Sequence, residues 1–397
     1  MKLIHALFLL PLTLLVCSFI SRDDGGSDWG FFGHKRINKL AVFILPEDCI
    51  AFFKTNISYL EEHSVDPDRR RHAVKNEHIK HYIDLDVWEK QLPIDTLPKE
   101  WTTAIAQYAS VDFISHTGDT LETIYGASLS KREFNQFYDL IRQTLIVDYY
   151  KSDDFTYDTL YGYELPNTII ETDFKEIVVH DNFSQDGILP YNIEQLYGLL
   201  VKAMERRDAK KILRYCADIG HYLGDAHVPL HTTKNYNGQL TNQVGIHAFW
   251  ETRLPELYAD KEFNFFVGQA VYISDIRSKI WEIVTSSHQY VDKVLAVERA
   301  LKMEYPMDQQ TCYEERKGKT VSTQCRDYSA EYHRRLEGMV EERMRQAVHS
   351  VGSFWYSAWV DAGKPDLRSV KMDLTDQNQN RDTISGEVLG GSRGHIR

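Results

Sequence analysis

Five residues in the middle of the chain combine the side-chain types and the spacing of metal ligands: His221, Asp225, His231, His247 and Glu251. The first two are four positions apart, and so are the last two. Side chains at that spacing share one face of a helix, so each pair can present two donors in the same direction. Because Pro229 ends the first helix, the histidine that follows it is expected to project from a turn.

Imidazole nitrogen and carboxylate oxygen are both ligands that Zn²⁺ accepts. Two such pairs that converge from two helices of a bundle can form a multinuclear site. The sequence therefore predicts zinc bound between two helices. His227 lies inside the same motif but faces another side of the helix, and we interpret it as a neighbour of the site or a surface residue.

These ligands need helices to carry them, and a helical pattern of apolar residues dominates the chain. Apolar residues recur three and four positions apart from Ile193 to Tyr222, with one polar interruption near Arg206–Asp208. Residues 281–303 and 328–359 show the same pattern. No series of alternating strands is visible, so we predict an all-α fold, a single multi-helix bundle domain with long loops.

One of those long connections is predicted from Thr120 to Leu165. It contains a group of closely spaced tyrosines: Tyr149, Tyr150, Tyr157, Tyr161 and Tyr163. Aromatic packing under a surface loop explains such a group, and a stacking surface for the bases of a substrate is the alternative.

The two ends of the chain differ in composition from the middle. Lys2, the apolar run from Ile4 to Ile20 and polar residues up to Asp28 are typical of a signal peptide and a short linker, residues 1–28. The apolar run is short for a membrane span, so the pattern predicts an exported protein, periplasmic or secreted, and not an integral membrane protein. Residues 29–363 are predicted to form the domain, and residues 364–397, poor in apolar side chains, a disordered tail.

Removal of the signal peptide would leave four cysteines. Cys312 and Cys325 are close in sequence, and in an exported protein they predict a disulfide around a loop. The sequence leaves the state of Cys49 and Cys216 open.

With further motifs near its start, the chain resembles the superfamily that joins the fungal single-strand-specific tri-zinc nucleases with the bacterial zinc-dependent phospholipases C. The matching motifs run from Trp29 to about Leu254, with more likeness near Phe354 to Pro365. The stretches between these motifs match poorly. The resemblance implies a trinuclear zinc cleft, with three Zn²⁺ per chain, in a hydrolase that acts on phosphoester bonds.

The string Trp-Gly-Phe-Phe-Gly-His from Trp29 to His34 is similar to the mature N-terminus of that family. There the tryptophan gives its free amine and carbonyl to one zinc, which the histidine and a bridging aspartate, here Asp225, complete. If signal cleavage leaves a residue before Trp29, that amine is not free.

The resemblance also implies ligands in the region that follows. Asp66 in Val-Asp-Pro-Asp-Arg is similar to the aspartate of the second zinc site, with Asp68 as the rival ligand, and His81 matches the histidine of that site. The complete implied set of metal ligands is Trp29, His34, Asp66, His81, His221, Asp225, His231, His247 and Glu251.

The two branches of the superfamily differ around the metals. Arg69 matches an arginine that stabilises phosphate charge in the nucleases, while Tyr82 and Asp84 stand where the nucleases stack a base and bind its edge. Glu251 as the last ligand and the string His-Tyr-Leu-Gly-Asp are more similar to the phospholipases. We favour the nuclease branch.

The sequence therefore favours the interpretation that the protein is a zinc-dependent endonuclease that hydrolyses single-stranded DNA or RNA to 5′-phosphate products. In it, a hydroxide held between two metals attacks phosphorus, Asp66 orients the hydroxide, and Arg69 neutralises the growing charge. The alternative is a phospholipase C that acts on phospholipid head groups, and a second alternative is a non-catalytic zinc-binding relative. Nucleic acid, or phospholipid, is the expected partner, and no stable protein partner is implied.

The charge of the chain limits how nucleic acid could be bound. The formal net charge is −12, which disfavours a protein that coats nucleic acid through a basic surface. Three Zn²⁺ would bring six positive charges into one cleft, so a local cationic site remains compatible with an acidic protein.

Overall fold

The computed structural model describes residues 31–71, 73–74, 76–90, 93–142, 174–316, 318–368 and 370. The predicted signal peptide and linker, Trp29, the tyrosine group and most of the predicted tail lie outside the described residues.

Helices come first along the chain, and a small sheet follows. The elements are α1 (Phe31–Phe43), α2 (Glu47–Thr55), α3 (Ile57–His63), α4 (Asp66–Arg70), a 3₁₀ turn (His78–His81), α5 (Leu85–Glu89), a 3₁₀ turn (Ile94–Thr96), α6 (Trp101–Tyr108), β1 (Ser110–Ile114), β2 (Thr120–Tyr125), a 3₁₀ turn (Gly126–Ser128), α7 (Lys131–Ile141), β3 (Glu176–His180) and a 3₁₀ turn (Ser184–Asp186).

The second half contains the longest helices. It consists of α8 (Leu189–Glu205), α9 (Ala209–Ala226), a 3₁₀ turn (Pro229–Thr232), α10 (Ile246–Ala248), a π turn (Phe249–Arg253), α11 (Leu254–Tyr258), α12 (Ile276–His288), α13 (Val291–Glu304), α14 (Met307–Gln310), β4 (Thr311–Arg316), β5 (Lys319–Gln324), α15 (Arg326–Arg335) and α16 (Met339–Asp361). The polar interruption at Arg206–Asp208 is the break between α8 and α9, and Asp208 caps α9 by accepting a hydrogen bond from the Lys211 N–H at 3.1 Å.

The prediction of an all-α fold needs correction. The described residues are mostly helical, but they also form a three-stranded antiparallel sheet in the order β2-β1-β3 and a β4–β5 hairpin. Val111 of β1 lies opposite Ile124 on one side and Val179 on the other. These strands have five or six residues each. Their sequences, such as Thr-Leu-Glu-Thr-Ile-Tyr in β2 and Thr-Cys-Tyr-Glu-Glu-Arg in β4, do not alternate strictly between apolar and polar residues.

The stretch predicted as one long connection is also more ordered than expected. Its described part contains β2 and α7. A capping box starts α7, because the Ser130 side chain and the Glu133 side chain each satisfy a backbone N–H at the other residue.

Helix α9 lies at the centre of the core. Its side chains are buried on nearly every face, as expected for a helix surrounded by other elements. Helices α1, α3, α8 and α16 all pack against it. Residues near its C-terminal end therefore lie deep in the protein and are held by several neighbours.

Two glycines of α9 allow α1 to approach closely. A Cβ at Gly220 would lie 1.9 Å from Oδ1 of Asn38, and a Cβ at Gly224 would lie 2.8 Å from Nδ1 of His34. The Asn38 side chain ties the helices together by donating to the carbonyls of Ala217 and Leu60. This contact brings His34 of α1 beside the C-terminal end of α9.

The chain stays packed beyond the predicted start of the tail at Lys364. Nε1 of Trp359 donates to the carbonyl of Pro365 at 2.9 Å, and Leu367 is buried in the core. Within the described residues, no helix combines the length and apolar character that crossing a membrane requires.

Candidate metal centre

The last turns of α9 carry the first predicted pair of ligands. His221 and Asp225 share one face of the helix, as their spacing predicts, and both are buried. Nε2 of His221 lies 3.4 Å from Oδ2 of Asp225. The other ring nitrogen, Nδ1, donates to the carbonyl of Ser64 at 2.8 Å. That hydrogen bond fixes the ring so that Nε2 faces the carboxylate.

Asp225 lies between two sets of histidines. Its Oδ2 is 2.9 Å from Nδ1 of His81 and faces His221. Its Oδ1 is 3.4 Å from Nε2 of His34 and 3.6 Å from Nε2 of His231. The two oxygens therefore face different donors, which is the arrangement that a carboxylate shared by two cations requires.

We call Asp68, His81, His221 and Asp225 the inner group. The ring nitrogens of His81 and His221 face each other at 3.1 Å. Oδ1 of Asp68 lies 3.8 Å from each of these nitrogens. All four donors are directed into one buried volume beside α9.

Asp66, the sequence-based choice for this position, points elsewhere. Its carboxylate contacts Nδ1 of His63 at 2.6 Å and NH1 of Arg69 at 3.0 Å. Helix α4 begins at Asp66, and the side chains of Asp66 and Asp68 point about 200° apart around its axis, slightly more than half a turn. The structure therefore brings the rival aspartate, Asp68, to the histidines and leaves Asp66 at a partly exposed ion pair.

We call His231, His247 and Glu251 the outer group. Oε2 of Glu251 lies 2.7 Å from Nε2 of His247 and 3.5 Å from Nε2 of His231. Nδ1 of His247 donates to the carbonyl of Tyr236 at 3.1 Å, which leaves Nε2 facing the carboxylate. The predicted second helical pair is thus present, but Glu251 lies on the π turn after α10 and not on a regular α-helix.

His34 joins the two groups. Its Nε2 lies 3.3 Å from Oε1 of Glu251, in addition to its contact with Asp225. Glu251 therefore also presents its two oxygens to different donors. The sequence predicts Glu251 as a metal ligand but not its contact with His34, because the spacing along the chain carries no information about contacts with α1.

The donor set fits bound metal ions. Four sets of three residues have ligand atoms within 4.8 Å of one another: His34 with Asp68 and His221, His81 with His221 and Asp225, His231 with His247 and Glu251, and His34 with Asp225 and Glu251. Ligands of a tetrahedral zinc with bonds of about 2.1 Å are about 3.4 Å apart. Many separations here lie between 3.3 and 3.8 Å, so the residues could hold metal ions with little rearrangement.

The carboxylates of the centre remain ionised at neutral pH. Burial raises the pKa of Asp68, but His221 and Arg71 outweigh burial and lower this pKa to about 2. Burial also opposes ionisation of Asp225 and Glu251, and the surrounding histidines hold both pKa values well below the usual range. Three ionised carboxylates are therefore available as metal ligands.

The pKa of each histidine depends on the charges that lie next to its ring. Burial lowers the pKa of His34, but the carboxylates of Glu251 and Asp225 raise it to about 9. Burial and the positive charge of Arg71 lower the pKa of His81 to about 3. His81 is thus already neutral, as a ligand must be, whereas metal binding at His34 would have to displace a proton.

Arg71 is a cation at the centre that the sequence analysis does not predict as a functional residue. It is buried, and its NH2 lies 3.6 Å from Oδ1 of Asp68. It lines a small cavity together with Tyr82, His231, Tyr236 and other residues. Among the described residues, the buried Nε of Arg71 has no hydrogen-bond partner, so the guanidinium keeps one unpaired donor beside that cavity.

Arg69, the predicted phosphate-binding residue, lies farther out. Its side chain is 52 % exposed and pairs with Asp66, and its guanidinium lies over the ring of Phe31. Arg71 belongs to the same run of three arginines as Arg69, and its spacing from an aspartate could have identified it. Asp68 and Arg71 are three positions apart, as are Asp66 and Arg69, so a shift of two residues preserves the spacing.

The two predicted base-binding residues lie close to the centre but are buried. The ring of Tyr82 lines the small cavity with Arg71, and its hydroxyl donates to the carbonyl of Gln185 at 3.1 Å. Asp84 has no exposed surface. The Asp84 carboxylate is therefore not accessible to the edge of a base.

The β4–β5 hairpin, which comes much later in the chain, contacts the π turn that carries Glu251. Arg253, on the same turn, donates two hydrogen bonds to the carboxylate of Glu314 in β4, at 3.0 and 2.7 Å. It donates a third to the carbonyl of Gln324 in β5 at 3.0 Å. A bidentate arginine–carboxylate pair fixes both position and orientation, so the β4–β5 hairpin orients the turn from outside.

The predicted disulfide closes this hairpin. Cys312 and Cys325 are joined, which confirms the pairing expected from their spacing. Cys49 and Cys216 are free and buried.

His227 is predicted to be either a neighbour of the site or a surface residue. In the structure it is buried and faces away from the centre.

Comparison with known proteins leaves the family open. No protein-family model matches the chain, and no curated protein matches it either. The likeness to the tri-zinc nucleases and phospholipases therefore rests on the sequence motifs, with the geometry of the centre beside them.

Proposed function

We propose that this protein is a zinc-dependent phosphodiesterase, and that its substrate is single-stranded nucleic acid. The observation that carries the proposal is the position of Asp225, with each oxygen facing a different set of histidines. Three zinc ions would occupy the inner group, the outer group and the position between His34 and the shared carboxylates. The resemblance adds Trp29 to the last position.

The donor set favours zinc over other divalent ions. Five histidines and three carboxylates, with no cysteine, suit Zn²⁺, while Mg²⁺ and Ca²⁺ prefer sites built from oxygen alone. Three Zn²⁺ and three ionised carboxylates leave a surplus of about three positive charges. That surplus explains how a chain of net charge −12 could attract a phosphodiester.

The protein's own residues would position and neutralise the substrate. Bound zinc would supply a water of lowered pKa and a positive field for the phosphoryl oxygens. Arg71 would donate through its Nε to a phosphate oxygen and offset the charge that grows during the reaction. Asp68, ionised and next to Arg71, would keep that guanidinium in place. The ring of Tyr82 would bound the cavity on the substrate side.

The pair Asp68 and Arg71 supports the nuclease branch. These residues reproduce the aspartate–arginine spacing that the resemblance attaches to the nucleases. A phospholipase C is the second candidate, because Leu240 and Val244 are exposed on the loop that precedes His247. Apolar side chains beside a phosphoesterase centre would suit a lipid surface.

A substrate test distinguishes these candidates. The full chain, loaded with zinc, is offered single-stranded DNA and RNA in one assay and lecithin in another. We expect nucleic-acid cleavage that EDTA abolishes and added zinc restores. Release of phosphocholine with intact DNA would reverse the choice of branch, and zinc binding without either activity would leave a binding role.

The matched variants are His221→Ala and His180→Ala. His221 belongs to the inner group, whereas His180 forms a histidine–carboxylate contact with Asp112 at 2.9 Å on the small sheet. We expect His221→Ala to lose metal and hydrolysis together, and His180→Ala to keep both. Hydrolysis that survives in His221→Ala would rule out the proposed centre. Intact mass and zinc content per chain would show whether Trp29 is the first residue.

A further inference from the structure

A buried arginine on α16 makes no ion pair with any described carboxylate. Arg343 of α16 is 2 % exposed. Its Nε donates to the carbonyl of His227 at 2.9 Å, and NH1 donates to Oγ of Ser286 and Oε1 of Gln346. NH2 contacts the hydroxyl of Ser287 and the carbonyl of Ile283. Every acceptor in this set is neutral.

Such a charge normally needs an anion. Buried guanidinium groups in proteins are paired with carboxylates, because neutral acceptors do not compensate the cost of removing a full charge from water. Among the described residues, Arg343 forms no ion pair with a carboxylate. Burial lowers the pKa of Arg343 to about 10, with Tyr290 and Glu342 opposing that shift, so the side chain still carries its charge at neutral pH.

Arg343 faces a cavity of about 440 Å³, which we call the Arg343 cleft. Its polar wall contains Lys279, Arg345, His349 and the hydroxyls of Ser286 and Ser350. Glu282, which accepts a hydrogen bond from Lys279, is the one carboxylate in the lining. Arg345 is paired with Glu341, which lies outside the lining, at 3.8 Å. Arg343 is therefore the cation of the lining whose charge no described carboxylate neutralises.

The opposite wall is apolar and is fixed by α16. Val267, Val271 and Ile273 belong to a segment without regular secondary structure. The backbone N–H of Val271 donates to Oγ of Ser353, and that of Ile273 donates to Oγ of Ser357. The volume of this cavity is in the range of sites that bind small molecules, which usually combine apolar walls with a few convergent polar groups.

The cleft and the metal centre have different linings, although His227 and Arg343 also line a smaller cavity together with His34 and Glu251. None of the residues of the inner or outer group lines it. His227 forms part of the boundary, because its Nδ1 donates to the carbonyl of Leu223 while Nε2 lies 3.3 Å from Oγ of Ser350. A ligand in the cleft would therefore contact the side of α9 that faces away from Asp225.

We propose that the Arg343 cleft binds a small organic anion, with the oxyanion group among Lys279, Arg343 and Arg345 and the apolar part against Val267, Val271 and Ile273. Phosphate and carboxylate groups share the required chemistry: a compact negative charge with several acceptor oxygens. The proposal does not depend on the activity proposed for the metal centre.

The test is calorimetric titration of the full, metal-loaded chain with phenyl phosphate, benzoate and benzyl alcohol. We expect at least one of the two anions to bind the cleft, and the neutral alcohol to bind far more weakly. Binding of phenyl phosphate alone would identify phosphate as the preferred group, and binding of benzoate alone would identify carboxylate. Two anions that bind no better than benzyl alcohol would overturn the proposal.

Variants assign the binding to the cleft. Lys279→Gln removes one cation and leaves Glu282 without its partner, so the dissociation constant should rise about tenfold or more. Lys293→Gln is the control, since Lys293 forms a similar lysine–glutamate pair with Glu337 outside the cleft. His231→Ala, at the metal centre, should leave the cleft event intact. Loss of all anion binding in His231→Ala, with Lys279→Gln unaffected, would place the ligand at the metals instead.

Discussion

The inner group of the metal centre lies on and beside the central helix, whereas the outer group lies on turns that follow that helix. His221 and Asp225 are fixed by the packing of α9 against its neighbours, and by one hydrogen bond to the carbonyl of Ser64. Glu251 of the outer group lies on a π turn that Arg253 connects to a hairpin about 60 residues later in the chain.

This difference indicates two kinds of support for one centre. Core packing holds the inner ligands, so their geometry should persist as long as the fold does. A few directed hydrogen bonds hold the outer ligands, so their geometry should depend on individual side chains. We therefore expect the outer position to lose metal first under chelation.

The largest expected effect comes from the aspartates of α4. Asp68→Asn should remove a ligand from the inner group and reduce bound zinc and hydrolysis to near background. Asp66→Asn should keep both, because Asp66 contacts His63 and Arg69 at the surface. Zinc content and turnover of the two variants, measured side by side, test this assignment. The reverse result would restore Asp66 as the ligand and show that α4 turns in the metal-bound state.

Next in size is the effect of the neighbouring arginines. Arg71→Gln should lower turnover about a hundredfold, the usual scale for loss of a donor to a developing charge. Its zinc content should stay unchanged, since Arg71 is not a metal ligand. Arg69→Gln, on the exposed side of the same run, should change turnover less than threefold. Equal losses in both variants would mean that the cavity position of Arg71 has no bearing on the reaction.

A smaller effect, confined to the outer group, is expected from Arg253→Gln. The π turn would lose its bidentate contact with Glu314, and metal affinity at the outer position should fall about tenfold. Arg335→Gln is the control, because Arg335 makes a bidentate contact with Glu304 at the surface. Zinc release against increasing chelator, followed by mass spectrometry, should show one ion leaving earlier in Arg253→Gln only. Earlier release of all ions together would contradict the separation into two groups.

The smallest effect is a pH dependence of the hairpin contact. Burial raises the pKa of Glu256 to about 7, although Arg316 opposes this shift. The folded state therefore holds a proton that the unfolded state has already lost above its pKa of about 4.5, so stability falls as the pH rises towards and through 7. Between pH 6 and pH 8 the loss should be about 1 kcal/mol. Denaturant unfolding at both pH values should show this loss in the native chain and a smaller one in Glu256→Gln.

Much of the centre can be predicted from local sequence. The pairs His221–Asp225 and His247–Glu251 are recognisable because four residues correspond to about one helical turn. His231 is recognisable because Pro229 ends the preceding helix. The disulfide is recognisable because its two cysteines are close in a chain whose first residues resemble a signal peptide. Each of these inferences depends on interactions over a few residues.

Contacts between distant parts of the chain cannot be predicted from local sequence. The choice between Asp66 and Asp68 depends on how α4 is rotated against α9, and both aspartates have the same local signal. The role of Arg71 depends on the same rotation. The π turn and its contact with Glu314 depend on the hairpin, and the strands of the small sheets do not alternate strictly between apolar and polar residue types.

The sequence by itself determined which residue types at which spacing could act as metal ligands, and which helices carry the first of them, because helix geometry converts spacing into direction. Only the tertiary structure decided which aspartate completes the inner group, which arginine faces the cavity, and that Asp225 and Glu251 each present two oxygens to different histidines. The physical reason is that helix rotation and packing are set by the whole core. A spacing of three or four residues is the same whether a side chain points towards the centre or away from it.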